Sequence, residues 1–225
     1  MTDYRMFEAL AAPRNSKGRL VPAPQGAPLI AALVDRSGSM QSCRAAMEDG
    51  LNGFIADQAG RPGGAAVTLA QFDTTYENVW PVQDIAGAPR YALVPRGQTA
   101  MLDAVGEFIT ETADALGDDT EWRKVICVIV TDGMENASKE WTRDAVADLI
   151  YYWRESYRWE FIFLGANIDA VKTANTFGIP EDSALTFDTK HAKQTYQVLG
   201  KTVTAIRDSK PAGFTEQDRR KALGQ

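Results

Sequence analysis

Apolar residues in this chain fall into short unbroken runs separated by longer stretches with helical spacing. Leu29-Ile-Ala-Ala-Leu-Val34 is a continuous run of the kind found in strands buried on both faces. Residues 40–58 follow with Ala46, Met47, Leu51, Phe54 and Ile55 on one stripe, which predicts a helix. Further strands are predicted at 66–72, 76–82, 124–130, 160–164 and 184–187. Helices are predicted at 100–116, 142–157, 168–177 and 189–206. Asp73-Thr74-Thr75 is too short for a parallel crossover, so the second and third strands should pair as an antiparallel hairpin, and Pro81 suits an edge. Lys124-Val-Ile-Cys-Val-Ile-Val130 reads as a central strand. The alternation predicts an α/β fold: a doubly wound, mostly parallel sheet with helices on both faces. Residues 1–28 read as an N-terminal extension with a short helix near 4–10 and a proline-rich loop, 29–208 as the domain, and 209–225 as a polar C-terminal tail.

Composition narrows the function. With 225 residues and 44% hydrophobic content, the chain can bury one sizeable core. The net charge of −6 combines basic ends with a strongly acidic middle, which disfavours DNA and RNA as partners. Cys43 and Cys127 read as two reduced, partly buried thiols. The first twenty residues lack an apolar signal core and no apolar run approaches membrane-spanning length, so a cytoplasmic location without membrane association is expected.

Five small oxygen-bearing side chains sit where such a sheet would gather them. Asp35-Arg-Ser37-Gly-Ser39 leaves the first strand, Gly97-Gln-Thr99 stands at the mouth of the second long helix, and Thr131-Asp132-Gly133 closes the central strand. Each element alone is an ordinary turn or helix cap. In an open parallel sheet, however, these positions meet in one crevice at the carboxyl ends of the strands. Oxygen donors without Cys or His suit a hard divalent cation.

Together, Asp35, Ser37, Ser39, Thr99 and Asp132 resemble the metal-ion-dependent adhesion site of the von Willebrand factor type A domain, with all five positions matched. The resemblance spans about 29–208. The strand ending in Val34 and the segment Phe161-Ile-Phe-Leu-Gly-Ala-Asn167 are similar to stand-alone bacterial and phage-type members. It implies a six-stranded sheet with one antiparallel edge strand and a bound Mg²⁺ (or Mn²⁺). Ser37 and Ser39 would be direct ligands, and Thr99 a direct ligand in the ligand-competent state. Asp35 and Asp132 would act mainly through water, Asp132 binding directly in the closed state. Neutral hydroxyls leave the cation's charge poorly neutralised, so an open position attracts a carboxylate from another protein. The implied role is a protein-interaction adaptor or scaffold whose partner presents an Asp or Glu, with an AAA-type ATPase or a phage-related assembly as candidate systems.

Arg36, Met40, Gln98, Asp73 and Asn167 are candidate rim residues selecting that partner, with Ala100 and Glu135 beside them; each has an alternative as an ordinary loop or helix-end residue. The aromatic run from Tyr151 to Trp159 reads as core, with Leu149, Ile150, Trp153 and Tyr157 on one helix face. Gly200 weakens the last helix and so could ease a shift of the kind that couples to the metal site in relatives. An enzyme is not expected. His191 is the sole histidine, and no nucleophile elbow, phosphate loop, Cys-x-x-Cys or His-Glu-x-x-His is present. The rival readings are a metal-assisted phosphoester hydrolase, which would need a nucleophile or general base near the metal, with Asp73 or Asp103 as candidates, and a structural subunit with a vestigial site.

Overall fold

The computed structural model describes residues 26–117 and 124–225. The helix expected near 4–10 lies outside them. The elements follow in the order β1 (Leu29–Asp35), α1 (Arg44–Ala59), β2 (Ala66–Phe72), β3 (Tyr76–Asp84), α2 (Met101–Leu116), β4 (Val125–Thr131), α3 (Arg143–Tyr157), β5 (Glu160–Ala166), α4 (Ala170–Asn175), β6 (Ala184–Phe187), α5 (Ala192–Arg207) and α6 (Glu216–Leu223). They build one six-stranded sheet in the order β3-β2-β1-β4-β5-β6. Every pairing is parallel except β2 with β3. This is the doubly wound α/β architecture expected.

Alternation along β1 explains the layers. Ile30, Ala32 and Val34 face the side packed by α1, α5 and α6, while Leu29, Ala31 and Leu33 face α2, α3 and α4. Both faces are covered, so β1 and β4 are wholly buried and apolar up to their last residues, Asp35 and Thr131. The chain winds one way from β1 to β2 and the other way from β4 to β5. The strand order therefore reverses between β1 and β4, and the carboxyl ends of these neighbours flank the crevice that such a switch point opens.

The edges are protected differently. β3 carries Pro81 and an exposed Glu77, and its pairing with β2 is irregular between Val67 and Ala70. At the other edge, the segment expected to be a polar tail folds as α6. Thr215 and Asp218 form a capping box there, and Ala222 is buried. Arg219 donates to the carbonyls of Ala184 and Glu181, and Asp188 N–H donates to Ala222 C=O, which ties this helix to β6. With Ala222 as its one buried residue, the helix has too weak an apolar pattern to separate from a solvated tail in the sequence.

One other expectation changes. Leu149, Ile150 and Trp153 are buried, but Tyr157 is mostly exposed and Tyr152 takes the inner position. Gly200 lies at the α1–α5 contact, where a Cβ would stand 3.4 Å from Asp57 Oδ2 and where its carbonyl accepts from Gln58 Nε2 at 3.1 Å. Arg207 adds bonds to Gln58 and to the Gly64 carbonyl, and Gly50 admits the Tyr196 ring. At Gly50 the absence of a Cβ serves close helix approach, whereas Gly200 leaves ordinary room for a methyl. Cys43 and Cys127 are both buried and free. Among the described residues, no helix is long and apolar enough to cross a membrane.

Candidate metal centre

β1 delivers Asp35 at its last position, fully buried. Its Oδ1 accepts the Ser37 N–H at 2.6 Å and its Oδ2 accepts the Thr131 hydroxyl at 2.6 Å. The first bond folds the chain back after the strand; the second ties the ends of β1 and β4 together. A short 3₁₀ turn over Gly38–Ser42 then leads into α1, so the helix begins later than the apolar stripe suggested. The Ser37 and Ser39 hydroxyls lie 3.0 Å apart, and the Ser39 hydroxyl donates to Asp132 Oδ1 at 2.6 Å.

Thr99 arrives from the loop before α2. Gly97 has φ 69°, and a Cβ on it would lie 2.9 Å from Thr74 Oγ1. Its carbonyl accepts the Gly38 N–H at 3.2 Å, pressing this loop against the Ser37–Ser39 turn. Gly133 has the matching role on the other side, since a Cβ there would stand 2.9 Å from Thr99 Oγ1 and 3.6 Å from Asp35 Oδ2. All five predicted residues thus converge: Asp35, Ser37, Ser39 and Asp132 through direct bonds, and Thr99 across the bare face of Gly133.

The electrostatics favour a positive guest. Burial pushes the Asp35 carboxyl up to about 6, with the nearby Asp132 charge adding to the rise and bonds from Thr131 and Ser37 opposing it. Burial also raises Asp132. Two desolvated carboxyls side by side are a poor arrangement without a cation. The donor set also fits one. Adjacent oxygens of an octahedron with ~2.1 Å metal bonds stand ~3.0 Å apart, which matches the Ser37–Ser39 spacing of 3.0 Å. Among the described residues, no three His, Cys, Asp or Glu side chains are grouped to hold a metal, so a cation here depends on the hydroxyls.

Three of the rim candidates are corrected. Met40 is wholly buried in the α1 core. Arg36 is 5% exposed and turns beneath the loop, its Nε donating to Asp73 Oδ2 at 2.9 Å and its Nη1 to Glu77 at 2.6 Å. Asp73 is 3% exposed and also accepts from Arg96 Nε at 2.7 Å. Burial alone would raise Asp73, but the Arg96 bond, the Thr75 amide and the Arg36 charge outweigh it and hold the carboxyl below its usual range. These side chains support the site from below, a use their loop positions do not reveal. Ala100 is buried too. Gln98 and Asn167 are exposed at the carboxyl edge of the sheet, as a rim requires; Asn167 stands over β5 with φ 56°.

The loop after β4 holds what the sequence hid. Glu135 Oε1 accepts the Ala137 and Ser138 amides, and its Oε2 accepts the Leu102 amide and the Ser138 hydroxyl. Burial raises this carboxyl, but the amides and the hydroxyl more than reverse the shift. Asp103 accepts the amides of Lys139, Glu140 and Trp141 at 2.8–2.9 Å. Neither carboxylate is free for a partner or for general-base work. Thr131 and Asn136 are the residues that sequence reasoning missed. A hydroxyl at the end of a strand beside a buried Asp was the available signal for Thr131.

No protein-family model matches the chain, and no curated protein matches it. Solved structures do resemble it. Proximal thread matrix protein 1 from the mussel byssus is 16% identical with a TM-score of 0.61, over 79% of this chain and 48% of that one. A von Willebrand factor type A protein from Catenulispora acidiphila is 15% identical with a TM-score of 0.55, over 81% and 47%. The chain thus spans about half of each of these proteins. The vWF domain of the type V pili tip protein Mfa5 from Porphyromonas gingivalis is 9% identical with a TM-score of 0.57, over 87% of this chain and 100% of that one. Sheet order, the antiparallel β3 and these likenesses agree that the chain has the fold of von Willebrand factor type A domains.

Proposed function

We propose that this chain is a metal-dependent protein-interaction module. In this reading Asp35, Ser37, Ser39, Thr99 and Asp132 hold a Mg²⁺ (or Mn²⁺), and the cation accepts a carboxylate from a partner protein. The observation that carries the reading is the chain of contacts from Ser37 to Ser39 to Asp132 at 3.0 and 2.6 Å, set over the buried Asp35. The neighbours contribute only the fold; the case for a cation rests on this chain's own oxygens. Ser37 and Ser39 present neutral hydroxyls, Thr131 and the Ser37 amide keep Asp35 aimed at the loop, and Asp132 balances part of the charge. Bound there, the cation supplies an electrophilic coordination position for an acidic side chain. An adaptor or scaffold role follows from that chemistry.

The hydrolase alternative lacks support because its candidate bases are occupied. Asp73 is held by two arginines and Asp103 by three backbone amides. The test is affinity capture from the native source with wild type and Asp35→Ala, each with Mg²⁺ and with EDTA. A protein retained only by wild type with Mg²⁺ is the expected result. Partners indifferent to both metal and mutation would remove the cation from the docking surface.

A further inference from the structure

Thr99 differs from the other hydroxyl residues of the site in that one neighbour brackets its backbone. Its N–H donates to Asn136 Oδ1 at 3.0 Å, and its C=O accepts the Asn136 N–H at 3.0 Å. The need for such a bracket is local. The residue before α2 is Ala100, which has no side chain to cap the helix. The Leu102 and Asp103 amides of its first turn must find acceptors elsewhere, and they find them in the loop after β4, as does the Thr99 amide just before the helix; the Ala100 amide donates to the Asp73 carbonyl instead. Asn136 takes Thr99, Glu135 takes Leu102 and Ser138 takes Asp103. Asp103 returns the favour by accepting three amides of that loop. Only the Asn136 bonds reach the residue that carries a site hydroxyl.

We propose that Asn136 is the positioning residue for the Thr99 hydroxyl. It fixes the Thr99 backbone to the loop that carries Asp132, so Thr99 and Asp132 meet a cation as one body. The proposal rests on the cation reading above. An acceptor side chain is required, and Asp would serve where Ala would not. Glu135 and Asp103 hold the rest of the loop independently, so removing the Asn136 side chain releases the Thr99 amide without dismantling the fold, while the backbone bond from Asn136 N–H to the Thr99 carbonyl remains.

The experiment compares wild type, Asn136→Ala and Asn136→Asp by Mg²⁺ titration calorimetry, by melting without metal, and by exchange of the Thr99 amide in EDTA. Asn136→Ala should weaken Mg²⁺ binding about tenfold, the size usual for losing a residue that orients a ligand. Its Thr99 amide should exchange faster, with little change in metal-free melting. Asn136→Asp should restore both affinity and protection. A Thr99 amide that stays protected in Asn136→Ala, or an Asp variant that behaves like the Ala variant, would overturn the proposal. A wild type that binds no Mg²⁺ would instead overturn the cation reading, while amide exchange, read without metal, still reports whether Asn136 holds Thr99.

Discussion

The two halves of the site are held by different means. The half that follows β1 is a short turn fixed by one buried carboxylate, with Ser39 exposed at its tip. The half made by Thr99 and the 132–141 loop is laced by Asn136, Glu135, Ser138 and Asp103 into a single mesh. The first half brings Asp35, Ser37 and Ser39, while the second brings Thr99 and Asp132 already fixed to one another's loops. A hydroxyl ligand is weak alone, so its affinity depends on being placed in advance, and the mesh supplies that placement.

The comparison is broken most sharply at Gly133, where the halves touch. Gly133→Ala should weaken Mg²⁺ binding about tenfold, because the new methyl would sit 2.9 Å from Thr99 Oγ1. Calorimetry with Mg²⁺ checks this, and unchanged affinity would mean that Thr99 does not contribute. Asp103→Ala strikes the mesh without touching a proposed ligand. It strips three amides of their acceptor and should cost about 1–3 kcal/mol of stability in urea melts, with Mg²⁺ affinity nearly unchanged while Asn136 and Glu135 remain.

A smaller effect tests the burial of the carboxylate that fixes the first half. Asp35 is raised from 3.8 to about 6 in the folded protein. Between those values the folded state keeps a proton that the unfolded chain has released. Asp35 therefore opposes metal-free folding increasingly as pH rises through this window, and fully above it. Asp35→Asn should gain melting temperature relative to wild type on going from pH 4 to pH 7 in EDTA, and a constant difference would contradict the burial. The smallest effect is expected at Gly200. A methyl there would make an ordinary 3.4 Å contact with Asp57. Gly200→Ala should therefore change stability by no more than about 1 kcal/mol and leave Mg²⁺ affinity as it was. A large affinity change on titration would support a switching role for α5.

Most of the fold was legible because it rests on long, one-sided signals. The runs of β1 and β4 and the stripes of α1 and α5 each repeat one message over many residues. The convergence of the five oxygen-bearing residues was legible for a related reason, since strand ends in a doubly wound sheet have a known destination. The support beneath them was not. Arg36 lies inside the motif yet turns down to Asp73, 37 positions away, and nothing local signals that direction. Asp103 and Glu135 looked available because the amides they accept belong to loops with no periodic pattern. α6 was missed because few of its side chains are buried.

The central claim is that the hydroxyls of Ser37 and Ser39 hold a divalent cation. The most direct test is the melting temperature of wild type and of the Ser37→Ala/Ser39→Ala double variant, each across a Mg²⁺ titration from an EDTA-treated start. Wild type should gain stability with Mg²⁺, by about 2.7 kcal/mol at a hundred times the dissociation constant, and the double variant should gain none. Equal stabilisation of both proteins, or none in wild type, would contradict the account.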